Sequence, residues 1–164
     1  MKRFGTFLLT LVVLSGLPRL ASSEAKAAPG FEKLKSLVGE WRGRGGEGKV
    51  VEVSYSLTAG NTAVMETLKM ADGLSMVTIY HPNNEKLMMT HYCILNNQPR
   101  MQASGDDRSL TFSLVDVTNL SSPNAPHMRK LVLSFPDRDH LKHEWTLRAS
   151  DQDKTEVFNF ERSR

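Results

Sequence analysis

From Trp41 onward, short segments of alternating polar and apolar residues recur along the chain, and turn-forming residues separate them. Alternation with a period of two is typical of half-buried β-strands, and Gly, Pro, Asn and Asp between such runs indicate turns. The turn segments are Gly45-Gly46, Ala59-Gly60-Asn61, Asp72-Gly73, Pro82-Asn83-Asn84, Gly105-Asp106-Asp107 and Pro136-Asp137. About nine or ten strands result. Because an open meander leaves two unpaired edges, we predict an all-β, antiparallel up-and-down barrel.

A helical segment precedes the strands. Phe31, Leu34, Leu37 and Val38 fall on one face of a helix that Gly39 ends. We expect a short amphipathic helix that plugs one end of the barrel. The whole chain of 164 residues, 40% hydrophobic, is long enough for one domain with its own core.

The first residues follow the order of a secretory signal. Lys2 and Arg3 precede an apolar stretch over residues 7–17, and small residues occupy positions 21–23. The apolar stretch is shorter than the roughly 20 residues that span a membrane, which makes a retained anchor the weaker alternative. We therefore expect export to the periplasm or the exterior, with no stable membrane anchor after cleavage.

Two cleavage sites fit this leader, one after Ser23 and one after Ala27. The predicted organisation is a signal peptide over 1–23, possibly to 27, a linker over 24–30 and a barrel domain over 31–164.

Charge argues against a nucleic-acid partner. The chain has 21 Lys and Arg against 18 Asp and Glu, and Lys2, Arg3 and Arg19 lie in the leader. Removing them leaves 18 of each sign, so the basic footprint of a nucleic-acid binder is absent. Cys93 is the single cysteine, so an intramolecular disulfide cannot form.

Several polar side chains are predicted to face the barrel interior. His91 and Cys93 lie on the more apolar side of a strand over 85–95, and His143 lies between Leu141 and Trp145 on another inward face. With Glu66 and Tyr80, they form either the polar floor of a ligand pocket or a satisfied core network. Both interpretations remain open.

Catalysis by this cluster is a further hypothesis. Cys93 with His91 or His143 as base, or Glu66 as an acid–base group, would suit a small hydrolase or isomerase. Residues two apart on a strand lie roughly 6.5 to 7 Å apart, which is long for a direct Cys93–His91 hydrogen bond. The chain lacks any close-spaced metal-binding signature, and we expect no metal site.

Gln98, Arg100 and His127 lie near predicted strand ends, together with Asp116 and Asn119. They either cap loop backbone or line the mouth of a cavity, where an Arg can grip a carboxylate or phosphate. The numerous Met residues either fill the core or, where several line one cavity, make it adaptable to apolar ligands.

The segment Gly39-Glu40-Trp41-Arg42-Gly43-Arg44-Gly45 resembles the Gly-x-Trp opening of the lipocalin-like barrels of the calycin superfamily, and more distantly that of nitrobindin-type haem-binding barrels. Further motifs are Thr78-Ile79-Tyr80-His81, Thr90-His91-Tyr92-Cys93, Asn97-Gln98-Pro99-Arg100-Met101, Asp116-Val117-Thr118-Asn119-Leu120, His127-Met128 and Asp139-His140-Leu141-Lys142-His143-Glu144-Trp145. Together these resemble a family of bacterial exported lipocalin-like proteins of unknown function, over most of Phe31 to Arg162.

The resemblance implies a calycin barrel and no established activity. From the cavity that such a fold often has and the few polar groups predicted inside it, we expect an exported protein that binds a small apolar or amphipathic molecule. The resemblance also implies that Arg162, from the last strand, covers Trp41 of the first strand and closes one end. Haem binding, with His91 or His143 as axial ligand, is the alternative that the nitrobindin likeness implies.

Overall fold

The computed structural model describes residues 28–164, which form ten β-strands, one short α-helix and one 3₁₀ turn. The predicted signal peptide over 1–23, possibly to 27, lies outside the described residues and stays a prediction. In chain order the elements are α1 (Phe31–Lys35), β1 (Gly39–Arg44), η1 (Gly46–Gly48), β2 (Val50–Thr58), β3 (Ala63–Lys69), β4 (Ser75–Asn83), β5 (Lys86–Tyr92), β6 (Gln98–Asp106), β7 (Ser109–Thr118), β8 (His127–Ser134), β9 (His140–Ala149) and β10 (Gln152–Arg162).

The strands form a single closed antiparallel barrel. Each pairs with its neighbours in the chain, and β1 pairs with β10 to complete the ring, with Trp41 opposite Arg162 and Gly43 opposite Phe160. The prediction of an all-β, antiparallel barrel with a short N-terminal helix is therefore confirmed. Closure leaves no strand of the described sheet with an unpaired edge.

The barrel has two unlike ends. The closed end carries the start of β1, the end of β10 and helix α1, whose Phe31 and Leu34 are buried. The open end carries the end of β1, the start of β10 and the turn between β5 and β6. Two residues that the sequence assigns to a linker are also packed: Ala28 is buried, and Gly30 lies against Leu110 at the closed end.

Helix α1 is shorter than predicted. Two backbone hydrogen bonds between residues three apart, from Leu37 N–H to the Leu34 carbonyl and from Val38 N–H to the Lys35 carbonyl, form a turn that ends it. The turn directs Val38 outward, where it is 41% exposed, so its predicted place on the buried face is wrong. The period-two pattern also places Leu57 and Leu95 inside, but they are 39% and 40% exposed. Leu57 lies near the end of β2, and Leu95 lies in a turn because β5 ends at Tyr92.

The glycines after Trp41 make room for aromatic rings from β10. A Cβ atom on Gly45 would lie 2.6 Å from Cε1 of Phe158. One on Gly43 would lie 2.8 Å from Cδ1 of Phe160 and overlap the carbonyl oxygen of Asn159. The alternating glycines of the sequence motif thus allow β1 to approach β10 with two Phe rings packed over it.

Arg162 and Trp41 meet at the closed end, with the guanidinium carbon 4.1 Å from the centroid of the indole ring. The guanidinium also donates to the carbonyl oxygens of Val38 and Ser36, each at 2.9 Å. The indole nitrogen of Trp41 donates to the carbonyl of Leu37 at 2.8 Å. We call this set the Arg162 clamp; it fastens the turn after α1 to the first and last strands.

We predict that Arg162→Ala lowers the free energy of unfolding by about 1 to 3 kcal/mol, because it removes the ring contact and both carbonyl bonds. Urea denaturation measures the change. Arg42→Ala, on the exposed face of β1, is the control and is expected to stay within about 0.5 kcal/mol of wild type. Wild-type stability in Arg162→Ala would show that the clamp stabilises nothing.

We also predict that Gly43→Ala lowers the free energy of unfolding by about 1 to 3 kcal/mol, since its methyl group collides with the backbone of β10. Gly46→Ala is the matched control, because the nearest atom to its methyl group is 3.5 Å away. Thermal unfolding of both proteins makes the comparison. Equal melting temperatures would contradict a packing role for Gly43.

Candidate functional site

A buried carboxylate lies at the centre of the barrel interior. Oε2 of Glu66 accepts hydrogen bonds from the hydroxyls of Tyr55 at 2.8 Å and Tyr80 at 2.7 Å. Oε1 accepts a longer bond, 3.4 Å, from Thr78. Tyr55, Glu66 and Thr78 are register partners on β2, β3 and β4, so inward alternation on three neighbouring strands assembles the cluster.

The network continues to both interior histidines. Nδ1 of His91 lies 2.9 Å from the Thr78 hydroxyl, and Nε2 of His143 lies 2.8 Å from the Tyr55 hydroxyl. A hydroxyl has one proton, so a Thr78 or Tyr55 that donates to Glu66 must accept from its histidine. This assigns the proton of His91 to Nδ1 and that of His143 to Nε2, and leaves the other nitrogen of each ring as an acceptor.

Burial shifts the pKa of every titratable side chain in this network. It raises the pKa of Glu66, although the hydrogen bonds from Tyr80, Tyr55 and Thr78 act in the opposite direction. Burial also lowers the pKa of His91 to about 4 and that of His143 to about 3, because an imidazolium loses its hydration inside the barrel. Both imidazoles are therefore neutral at neutral pH.

Three ring nitrogens of the interior have no hydrogen-bond partner within residues 28–164: Nε2 of His91, Nδ1 of His143 and Nε1 of Trp145. The rings of His91 and Trp145 are neighbours, with centroids 4.5 Å apart and planes tilted by 38°. The ring of His143 packs against Phe160 at 4.9 Å. Since buried polar groups are normally satisfied, these nitrogens form an unusual set.

Cys93 is buried beside this cluster but does not join it. The bond of His91 goes to Thr78, and that of His143 goes to Tyr55, so neither imidazole has a hydrogen bond to the thiol. Burial raises the pKa of Cys93, which disfavours the nucleophilic thiolate. The geometry therefore does not assemble the Cys–His pair that the sequence suggested.

Sequence reasoning missed Tyr55, Thr78 and Trp145 as members of the site. Tyr55 alternates with the apolar Val51 and Val53, Trp145 alternates with His143, and Thr78 alternates with Tyr80. The polar end of each side chain was the available signal, because a buried hydroxyl or indole N–H needs a partner.

The residues predicted at the cavity mouth do not form a shared site. Arg100 is exposed and donates to both carboxylate oxygens of Asp116, so its charge is already paired. Gln98 accepts from Thr118 at 2.9 Å, and Nδ1 of His127 lies 2.8 Å from the carbonyl of Ala125. The hypothesis that Arg100 grips an anionic ligand at the mouth is therefore not supported, because Asp116 occupies its guanidinium.

A pocket of about 770 Å³ lies at the open end, between η1, the β3–β4 turn and the start of β10. Val51 and Phe158, both buried core residues, and the half-buried Met70 give it an apolar lining. Lys154 and Glu156 lie at its rim. We call it the open-end pocket.

The open-end pocket adjoins the polar interior through the pairing of β9 with β10. Its lining residues Phe158 and Glu156 are the register partners of His143 and Trp145. Register partners share a face of the sheet, so these side chains are immediate neighbours. The pocket is thus one strand away from two of the unpartnered nitrogens.

Haem does not fit this interior as it is packed. The free nitrogens of His91 and His143 are chemically suited to iron, but the rings pack against Trp145 and Phe160. Neither imidazole lines any of the five main pockets of the described chain. Residues 28–164 contain no group of three His, Cys, Asp or Glu arranged to hold a metal ion.

No protein-family model matches the chain, and no curated protein matches it either. Among solved structures, the chain is similar to the structure of EF1p2_mFAP2b bound to DFHBI, with 9% sequence identity and a TM-score of 0.40. The match covers 81% of this chain and 98% of that one. In the described part of the chain, no helix is long and apolar enough to cross a membrane.

The lowered pKa of His91 gives a stability test. Between pH 6.5 and about 4 the unfolded chain binds a proton at this residue and the folded chain does not, so acid favours unfolding. The shift of His91 alone would lower the free energy of unfolding by up to about 3 kcal/mol over that interval. The raised pKa of Glu66 acts in the opposite direction, so variants must be compared with wild type at each pH.

We predict that His91→Asn, which keeps a donor toward Thr78, flattens the acid-side fall in the free energy of unfolding. Urea titrations at several pH values between 4 and 7 measure the slope. His81→Asn is the control, because the His81 ring is partly exposed and lies 3.0 Å from the Pro82 carbonyl. An unchanged slope in His91→Asn would mean that His91 is not held neutral by burial.

Proposed function

We propose that this protein binds a small, largely apolar molecule through the open end of its barrel. The observation that carries the proposal is the open-end pocket, whose apolar lining of Val51, Met70 and Phe158 continues the hydrophobic core. Ligand sites in proteins are typically concave and mostly apolar, with a few convergent polar groups. The interior nitrogens beside the pocket would supply such groups.

The difference between the two ends of the barrel supports ligand access to the interior from one end. Helix α1 and the Arg162 clamp cover the closed end, where Arg162 bonds to the carbonyls of Ser36 and Val38. Among residues 28–164, no α-helix lies at the open end, and the pocket lining there includes Gly45 and Gly46, which have no side chains to obstruct access. A ligand would therefore reach the interior from the open end.

Methionines make this end adaptable. Met70 lines the pocket, Met76 is buried near the start of β4, and Met128 packs on the core at the start of β8. Thioether side chains are unbranched and repack around apolar molecules of different shapes. We infer that the site accepts a range of apolar shapes.

We further propose that the protein is exported, with the ligand bound in the periplasm or outside the cell. The order of charged, apolar and small residues in the leader supports this location. Mass spectrometry of protein secreted by a bacterial host tests it: an N-terminus at residue 24 or 28 is expected, whereas intact Met1 would refute export with cleavage.

Binding is tested with N-phenyl-1-naphthylamine, a neutral apolar dye that fluoresces in apolar surroundings. We predict saturable binding to the wild-type protein, weakened by about tenfold in Met70→Trp, because the indole fills the open-end pocket. Met65→Trp is the matched control, since Met65 alternates with the inward Glu66 and lies on the outer face of β3. Equal dye affinity in both variants, or no saturable binding to wild type, would overturn the proposal.

A further inference from the structure

We propose that His91 and Trp145 form the polar anchor of this ligand site and that the anchor receives a neutral hydroxyl group. The expected ligand class is therefore a phenol or an alcohol with an apolar body. This inference rests on the proposed function and makes it more specific, because it states which functional group the apolar ligand has.

The first step is the pair of unpartnered nitrogens. Trp145 Nε1 has a hydrogen and only donates, and it has no acceptor within residues 28–164. Nε2 of His91 is equally without a partner. The residues are 3% and 1% exposed, and their ring centroids are 4.5 Å apart, so the donor and the acceptor belong to neighbouring buried rings.

The second step is the proton assignment of His91. The Thr78 hydroxyl donates to Glu66 and lies 2.9 Å from Nδ1 of His91, so Nδ1 must provide the proton of that bond. Nε2 of a neutral imidazole is then an acceptor. The site therefore presents one donor, from Trp145, beside one acceptor, from His91.

The third step is the choice of ligand group. A hydroxyl donates one hydrogen bond and accepts others, so it satisfies both nitrogens at once. A carboxylate only accepts and would leave its charge against the lone pair of His91, while an ammonium group only donates and would meet the Trp145 N–H. Burial also disfavours either charged group, which leaves the neutral hydroxyl as the best match.

The fourth step is the route. Glu156 and Phe158 line the open-end pocket and are the register partners of Trp145 and His143 on β9. A ligand whose apolar body occupies the pocket would place its polar end toward this strand. Neither Trp145 nor His91 lines the pocket itself, so Met70, which does, would move aside, as thioether side chains do most readily.

Nuclear magnetic resonance of the wild-type protein tests the anchor directly, because the chain has two tryptophans and therefore two indole N–H signals. The probes are 1-naphthol and 1-methylnaphthalene, which have nearly the same shape but differ in the hydroxyl group. We expect 1-naphthol to move the Trp145 signal downfield and 1-methylnaphthalene not to do so. The Trp41 signal is the internal control, since its N–H already bonds to the Leu37 carbonyl.

Affinity gives the second measurement. We expect 1-naphthol to bind about tenfold more tightly than 1-methylnaphthalene, and we expect Trp145→Phe to abolish that preference while still binding both probes. Equal affinities in wild type, a retained preference in Trp145→Phe, or an unmoved Trp145 signal would overturn the anchor and leave the proposed function standing. Failure of both probes and of N-phenyl-1-naphthylamine would overturn the proposed function as well.

Discussion

The pairing of β1 with β10 is the constraint on which the rest of this structure depends. It joins Trp41 to Arg162 and closes a sheet that would otherwise have two unpaired edges. The strands β1 and β10 approach each other so closely that position 43 requires glycine, because a Cβ atom there would collide with the backbone of Asn159. Once the ring is closed, every inward side chain faces the others across a common interior, and polar residues there must find partners among themselves.

Glu66 organises the polar part of that interior through hydroxyl groups. Tyr55 and Thr78 each lie between the carboxylate and one histidine. Each hydroxyl has one proton, so a hydroxyl that donates to the Glu66 carboxylate must accept from its imidazole, and this determines the tautomer of that imidazole. The same arrangement that satisfies the carboxylate therefore determines which histidine nitrogens are left over. A structural network and the proposed ligand site are in this sense not alternatives, because the network leaves unpaired the histidine nitrogens that the proposed site would use.

The sequence predicted the fold better than the site. Period-two alternation and turn residues are local properties, and they were sufficient to predict about ten strands and the inward direction of Glu66, His91 and His143. The contacts among these residues depend on register, which sets Tyr55 opposite Glu66 and Thr78 opposite His91. A pattern with period two does not fix register, so Tyr55 and Thr78 could not be assigned as the connecting groups. Predictions at strand ends were weaker for a related reason: Leu95 follows the alternation of β5 but lies beyond its last residue.

The Arg162 clamp also has a consequence for the order of folding. Its bonds to Val38 and Ser36 span 124 and 126 residues, so the segment after the helix waits for the last strand before it is fastened. Until β10 pairs with β1, the folding chain has two unpaired sheet edges. Non-local pairing of this kind also slows folding, because loop closure costs entropy before the contact forms. The folding chain is thus most vulnerable to edge-to-edge aggregation until β10 has completed the ring.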